Sequence, residues 1–274
     1  MKKYLRRDPE VMTVSVEPSI PPLASTLLLF AGMLLMLETG RRLGIARRRQ
    51  ETDADRGNLG TIEGALFAVF GLLMALTFTG ATSRFNEKRM FIAQEVNAIQ
   101  TAYLRLELLP KEQKLALQEL FRRYVDSRLE AYRKMPDTRA AEAERAKYEK
   151  LQRQIWATAV TASELPGAHP DAGKLLLPAL NNLIDITTVR TLSLQLHPPT
   201  IIYLLLFSLG LMCSLLAGYR MASAQNRSWL HILGFTVITV IVVYVILDLD
   251  YLREGLIRLQ TADQLLVKAR ETMN

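Results

Sequence analysis

The residues that could do chemistry are few and scattered. A zinc site needs converging nitrogen or sulfur ligands, often two histidines one helical turn apart. His169, His197 and His231 are far apart in the chain and show no such spacing. Cys213 is the single cysteine and lies in an apolar run, so neither an internal disulfide nor a cysteine metal cluster can form. "GKLLL" places a lysine after a glycine, but no phosphate-cradling Gly-rich pattern precedes it. No serine occupies a nucleophile elbow. The expectation is a protein that is not an enzyme and carries neither cofactor nor metal.

What remains is polar chemistry that could conduct ions or hold a partner. Ionisable groups at mid-membrane mark proton relays and ion paths. Here the acids Glu38, Glu63, Asp248 and Asp250 fall near the ends of apolar runs instead. Hydroxyls occur within those runs at Thr77, Thr79, Thr82, Ser83, Thr236 and Thr239. Two further polar sets lie beyond them: Glu95, Asn97, Thr101 and Arg105, and then Asn181, Asp185, Thr188 and Arg190. In the second set, Asn181, Asp185 and Thr188 share a helix face by steps of four and three. Both sets adjoin apolar runs, so they are candidates for one buried polar network, with a solvated face as the alternative.

The elements that must position these groups follow from composition. Half of the 274 residues are hydrophobic, yet 22% are charged. That mixture fits a chain divided between lipid and water. Apolar runs at 20–37, 62–81, 201–217 and 229–247 are each about 17–20 residues long, enough to cross a hydrocarbon core. The first lacks a small-residue cleavage site and reads as a retained helix. The expected class is all-α, a membrane protein with four spanning helices and a helical extramembrane domain between the second and third. Its parts are a tail (1–19), a first helix pair (20–83), the helical domain continuous with the second span (84–197), a second pair (198–248) and an amphipathic tail (249–274). The joint within each pair is short, so the helices of a pair are expected to be antiparallel neighbours.

The polar segment reads as helix throughout, with boundaries at Pro110, Pro136, Pro166 and Pro170. Pro178 suits either a first turn or a kink. Apolar stripes recur at helical spacing: Leu117, Phe121, Tyr124, Tyr132; Tyr148, Leu151, Ile155, Ala162; and Leu176, Leu180, Leu183, Thr187. No glycine or proline interrupts residues 81–109. Steps of four and three trace one seam through them: Gly64, Ala68, Gly71, Ala75, Phe78, Thr82, then Phe85, Arg89, Ile92, Val96, Ile99, Tyr103, Leu106. Small residues suit close helix packing in lipid, and apolar ones drive packing in water. The seam predicts one helix of about 45 residues, roughly 65 Å long. Gly210, Ser214 and Gly218 form a second small-residue ladder in the third span.

The net charge is +7, with arginines clustered beside the apolar runs, which suggests a membrane surface and no nucleic acid. Arg41, Arg42, Arg47, Arg48, Arg49 and Arg56 crowd the first joint, and Arg220 and Arg227 flank the second. The positive-inside rule puts both joints in the cytoplasm and the helical domain outside. Lys2, Lys3, Arg6, Arg7, Arg84, Lys88 and Arg89 count against that orientation.

The stretches "ALFAVFGLLMALTFTGATSRFNEKRMFIAQEVNAIQTAYLRLELLP", "HPPTIIYLLLFSLGLMCSLLAGY" and "LDLDYLREGLIRL" resemble the bestrophin-like domain family of bacterial membrane proteins. The resemblance spans about residues 60–260 and implies kinship with bestrophins, which are pentameric anion channels with four spans per subunit. In those channels apolar side chains of the second span form a narrow neck, and the large helical portion is cytoplasmic, opposite to the charge count here. The resemblance and the arginine pattern place the chain in a bacterial inner membrane. There, an oligomeric and anion-conducting channel would be lined by the second span, with Gly71, Ala75, Phe78 and Thr82 in the pore and Arg84 and Arg89 at its mouth. Two other functions fit the layout. One is a non-conducting scaffold or sensor whose helical domain binds a protein partner. The other is a stator-like proton-channel subunit, which needs a carboxylate from a partner. Membrane lipid surrounds the spans and a homo-oligomer is expected, a closed ring with a central path favouring the channel and a monomer or pore-free dimer the scaffold.

Overall fold

A computed structural model of the protein describes residues 21–47, 53–134, 138–195, 198–222, 229–250 and 260–273. All regular elements among them are helical: α1 (Pro22–Arg47), α2 (Asp53–Leu104), a 3-10 turn (Arg105–Leu108), α3 (Lys111–Arg133), α4 (Thr138–Ser163), α5 (Ala172–Gln195), α6 (Thr200–Met221), α7 (Trp229–Asp250) and α8 (Gln260–Glu271). By length and composition, four helices can cross a membrane: α1, α2, α6 and α7. Of the predicted proline boundaries, Pro110 precedes α3, and Pro166 and Pro170 lie in the turn between α4 and α5. Pro136 lies outside the described residues. Pro178 is inside α5, in its second turn.

The expected long helix is one unbroken element. α2 has 52 residues, roughly 78 Å at 1.5 Å per residue, more than twice the hydrocarbon thickness. It therefore takes part in two hydrophobic cores. The first joins Leu29 and Met33 of α1, Phe70 and Ala81 of α2, Leu206 and Cys213 of α6, and Val243 and Ile246 of α7. The second gathers the far half of α2 with α3, α4, α5 and α8, and it buries nearly all of the three predicted stripes. Leu266, Ala269 and Met273 belong to this second core, so α8, within the stretch expected as an amphipathic tail, packs its apolar side into the fold. Arg122 Nε and Tyr103 Oη both donate to the Met273 carbonyl, at 2.7 and 3.1 Å.

The helix pairing differs from expectation. α1 packs along α6 and α7, and so does α2, whereas α1 with α2 and α6 with α7 make at most glancing contact. Sequential helices are thus diagonal across the bundle. A short joint limits reach but does not dictate adjacency. Five residues, 48–52, can span roughly 17 Å, and the diagonal of a square of helices about 9 Å apart is roughly 13 Å. Glycine decides which helices approach most closely. A Cβ added at Gly218 would lie 2.0 Å from the Leu37 carbonyl oxygen, and one at Gly40 would lie 1.9 Å from that of Leu215. Gly44 meets Tyr219 in the same way. The ladder expected on α6 is buried, and α1 supplies its counterpart.

Candidate functional site: the open face and the ionic anchors of α2

α2 is the least covered span. Of its apolar stretch 11% is buried, against 28% for α1 and 33% each for α6 and α7. The side that packs within the chain carries Phe67, Phe70, Leu73, Met74 and Ala81. The lipid-depth half of the predicted seam lies elsewhere. Gly64, Ala68, Gly71, Ala75 and Phe78 are all exposed, and Thr82 is half-exposed. Nothing lies within 4 Å of a Cβ added at Gly64 or Gly71. The expectation that the whole seam is one packing face is therefore corrected: within the chain, only the part from Ile92 onward is buried. Thr79 and Thr82 donate to the Ala75 and Phe78 carbonyls, so both hydroxyls are satisfied by their own helix.

At the end of the apolar stretch, Arg84 does not project freely. Its Nε and Nη2 donate to Oδ1 and Oδ2 of Asp250, the last residue of α7, at 2.8 and 2.9 Å. Tyr203 of α6 donates to Oδ2 of the same carboxylate at 2.5 Å. Lys88 Nζ is 3.5 Å from the Asp250 carbonyl. Asp250 is fully enclosed and Arg84 is about one-third exposed. Tyr244 donates to the buried Asp248 one turn further along α7. Arg89 is exposed, its guanidinium 5.9 Å from the Phe85 ring centre.

Further along α2, Glu95 is wholly buried between two arginines. Arg128 of α3 donates Nε to Oε1 at 2.7 Å and Nη2 to Oε2 at 2.9 Å. Arg190 of α5 donates Nη1 to Oε2. Two cations on one carboxylate leave a formal excess of positive charge, which aromatic faces share. Arg128 lies 4.5 Å from the Tyr148 ring centre and Arg190 4.1 Å from that of Tyr132. Burial alone would push the Glu95 carboxyl up, but the two arginines hold it below its ordinary value. Burial opposes the Arg128 charge as well, and Glu95 more than offsets that, so Arg128 stays protonated. Burial raises Tyr124 and Tyr132 above the ordinary phenol range and keeps both neutral. Thr187 donates to the Leu183 carbonyl and so accepts from Tyr124, which in turn accepts from Gln152.

Of the eight residues predicted to form a polar network, the structure joins Glu95 and Arg190. Asn97, Thr101, Asn181, Asp185 and Thr188 are exposed. Asn181 donates to Asp185 at 2.8 Å, and Thr188 donates to its own helix at Ile184. Arg105 donates to the Leu175 carbonyl of α5, one turn before Pro178, whose missing N–H leaves a carbonyl of that turn without its helical donor. Sequence reasoning placed Tyr132 only on an apolar stripe and missed Arg128 and the bonding of Arg84 to Asp250. Arg128 had a visible signal: it continues the Phe121–Tyr124 stripe, where a charge is expected only if it is paired.

Among the described residues the chain is all-α, with four helices long and apolar enough to cross a membrane, one of them long and little covered by the others, and this suggests a multi-pass membrane protein. The bestrophin-like domain family model matches residues 27–263, and the chain belongs to that family. At a coarse level the family suggests a membrane ion channel. No curated protein and no solved structure matches the chain.

Proposed function

We propose that several copies of the chain surround an ion pathway lined by the open seam of α2, and that the pathway favours anions. The observation that supports this is the uncovered state of α2, with small side chains on its open face. A helix facing lipid alone gains most dispersion contact from large side chains, whereas Gly64, Ala68, Gly71 and Ala75 present little to lipid. Such residues suit a close helix neighbour or a narrow lumen. Phe78 is the bulky member of the lipid-depth seam, and an apolar ring there would gate by dewetting. Arg89, exposed on the same seam, would place basic charge at the mouth. Arg84, bound to Asp250, contributes less to such a ring than its position in the sequence implies. The polar half of the molecule lies outside the membrane, on the periplasmic side by the arginine pattern of the first joint.

Purified protein in liposomes should pass chloride. Phe78→Ala should raise the flux, and Arg89→Glu should shift selectivity toward cations. Wild type and Phe78→Ala that pass neither chloride nor potassium at verified incorporation would sink the reading. In that case the exposed polar positions Asn97, Thr101, Asn181, Asp185 and Thr188 on α2 and α5 favour a second reading, a scaffold that binds a protein partner there.

A further inference from the structure

The charged residues through which α2 meets the rest of the chain share one side of the helix. Glu63 reaches Arg220 of α6 at 3.4 Å. Arg84 and Lys88 reach Asp250. Glu95 reaches Arg128 and Arg190. At 100° per residue, Glu63, Arg84, Lys88 and Glu95 fall within a sector of about 60° over roughly 48 Å of helix. Gly71, Ala75, Phe78, Thr82 and Arg89 centre about 120° away on the same projection. The anchors hold one side of α2 and thereby determine where the open seam points.

We propose that the Arg84–Asp250–Tyr203 cluster is a latch that sets the rotational position of α2, with Asp250 as its positioning residue. Three features of the geometry carry this. Apolar burial gives little drive between the parts of the helices in lipid, so directional bonds at the ends of those parts weigh heavily in setting rotation. The Arg84–Asp250 pair is bidentate, and a fork on a carboxylate fixes orientation as well as distance. The two partners also differ in freedom: Asp250 is enclosed, while Arg84 is about one-third exposed, so the arginine can withdraw toward solvent. When it does, Tyr203 still donates to the carboxylate. Because α2 is unbroken, a turn at Arg84 is passed to Phe78 six residues back, about 9 Å along the axis. The latch rests on the channel reading only for its effect on flux.

The test measures rotation without ion flux. Spin labels at Asn86→Cys on α2 and Ser208→Cys on α6, both exposed positions, go into a Cys213→Ala background diluted with unlabelled protein. The parent should give one narrow distance. Asp250→Asn should shift or broaden it by roughly 5 Å, the displacement of a side chain about 5 Å from the helix axis when the helix turns 60°. Tyr203→Phe, which removes one bond, should broaden it less. Asp250→Glu, which keeps the carboxylate, should retain the parent distance. An unchanged distribution in Asp250→Asn overturns the proposal. If that variant is not monodisperse, an unchanged distribution in both Arg84→Gln and Tyr203→Phe overturns it. A shift in Asp250→Glu as large as in Asp250→Asn also overturns it, since side-chain volume and not charge would then set the helix. A chain that conducts nothing yet shifts as described keeps the latch and loses the channel.

Discussion

Glu95→Gln isolates the buried ionic cluster of the second core. Glutamine keeps the volume and removes the charge that Arg128 and Arg190 share. It also points an amide N–H₂ at guanidinium donors where a carboxylate oxygen had accepted. Both arginines are buried, 3% and 2% exposed, so neither recovers its hydration. Removing one partner of a buried ion pair costs about 3–5 kcal/mol. For a chain of this size that becomes a fall of roughly 6–20 °C in melting temperature. Trp156 packs against the second core and reports its unfolding by fluorescence, with Trp229→Phe as the background in detergent micelles. The pH dependence has a definite sign. The Glu95 carboxyl is held below its ordinary 4.5, so its stabilisation is complete above pH 4.5 and is lost as pH falls through the depressed folded value. The gap between parent and Glu95→Gln should be flat near neutrality and close on acidification. Replacing the whole cluster, Glu95→Leu with Arg128→Met and Arg190→Met, should cost less than Glu95→Gln alone, because no charge is left unpaired. A fall of less than about 2 °C at neutral pH, or a gap that widens in acid, would refute this account of the cluster.

Gly218→Leu and Gly40→Ala place carbon against the backbone of the facing helix, 2.0 and 1.9 Å from a carbonyl oxygen, so each should destabilise by at least about 1–3 kcal/mol and reduce monodisperse yield; normal melting in both would contradict the α1–α6 contact. Gly71→Leu meets nothing within its own chain and should leave melting unchanged while altering oligomer size in cross-linking; an unchanged oligomer would remove the seam from the subunit interface. In intact cells, with Cys213→Ala as background, Ala143→Cys should react with an impermeant thiol reagent and Arg47→Cys should be protected. The reverse pattern would place the helical domain in the cytoplasm.

The spans, the continuity of α2 and the three stripes of α3–α5 were legible because each is local: apolar length and period need no knowledge of partners. Helix pairing was not legible, because a short joint fixes how far two ends can be apart and leaves adjacency to surface shape. The close approach of α1 to α6 depends on Gly40 meeting Leu215, Gly44 meeting Tyr219 and Gly218 meeting Leu37, and in the sequence only the α6 ladder stood out. The polar network formed only in part, at Glu95 and Arg190, for a geometric reason. Glu95 and Asn97 lie 200° apart on a helix, so one could turn inward only if the other turned out. Asn181, Asp185 and Thr188 do share a face, and it is the face that α5 leaves open. What draws Glu95 inward is Arg128, from a helix whose approach no local pattern announces.

The seam on α2 also explains its own partial failure. Steps of four and three repeat every seven residues, and on a straight helix such a repeat drifts by about 20° per heptad. From Gly64 to Leu106 is six heptads, a drift of roughly 120°. The seam therefore begins on the open side of α2 and ends on its buried side. The stripe the chain itself uses runs straight: Phe67, Phe70, Met74 and Ala81, then Lys88, Ile92, Ile99 and Leu106, all buried or packed against a core. Packing within the chain thus accounts for the far half of the seam and places no demand on the near half. In a single copy nothing among the described residues lies within 4 Å of a Cβ added at Gly64 or Gly71, so intrachain packing does not require glycine there. A run of Gly, Ala, Gly and Ala on an otherwise uncovered span therefore finds no cause in the packing of the described residues. On the channel reading proposed above, a neighbouring copy at close range or a lumen that tolerates little bulk would supply one, and the anchors, centred about 120° around α2, would keep that face turned outward.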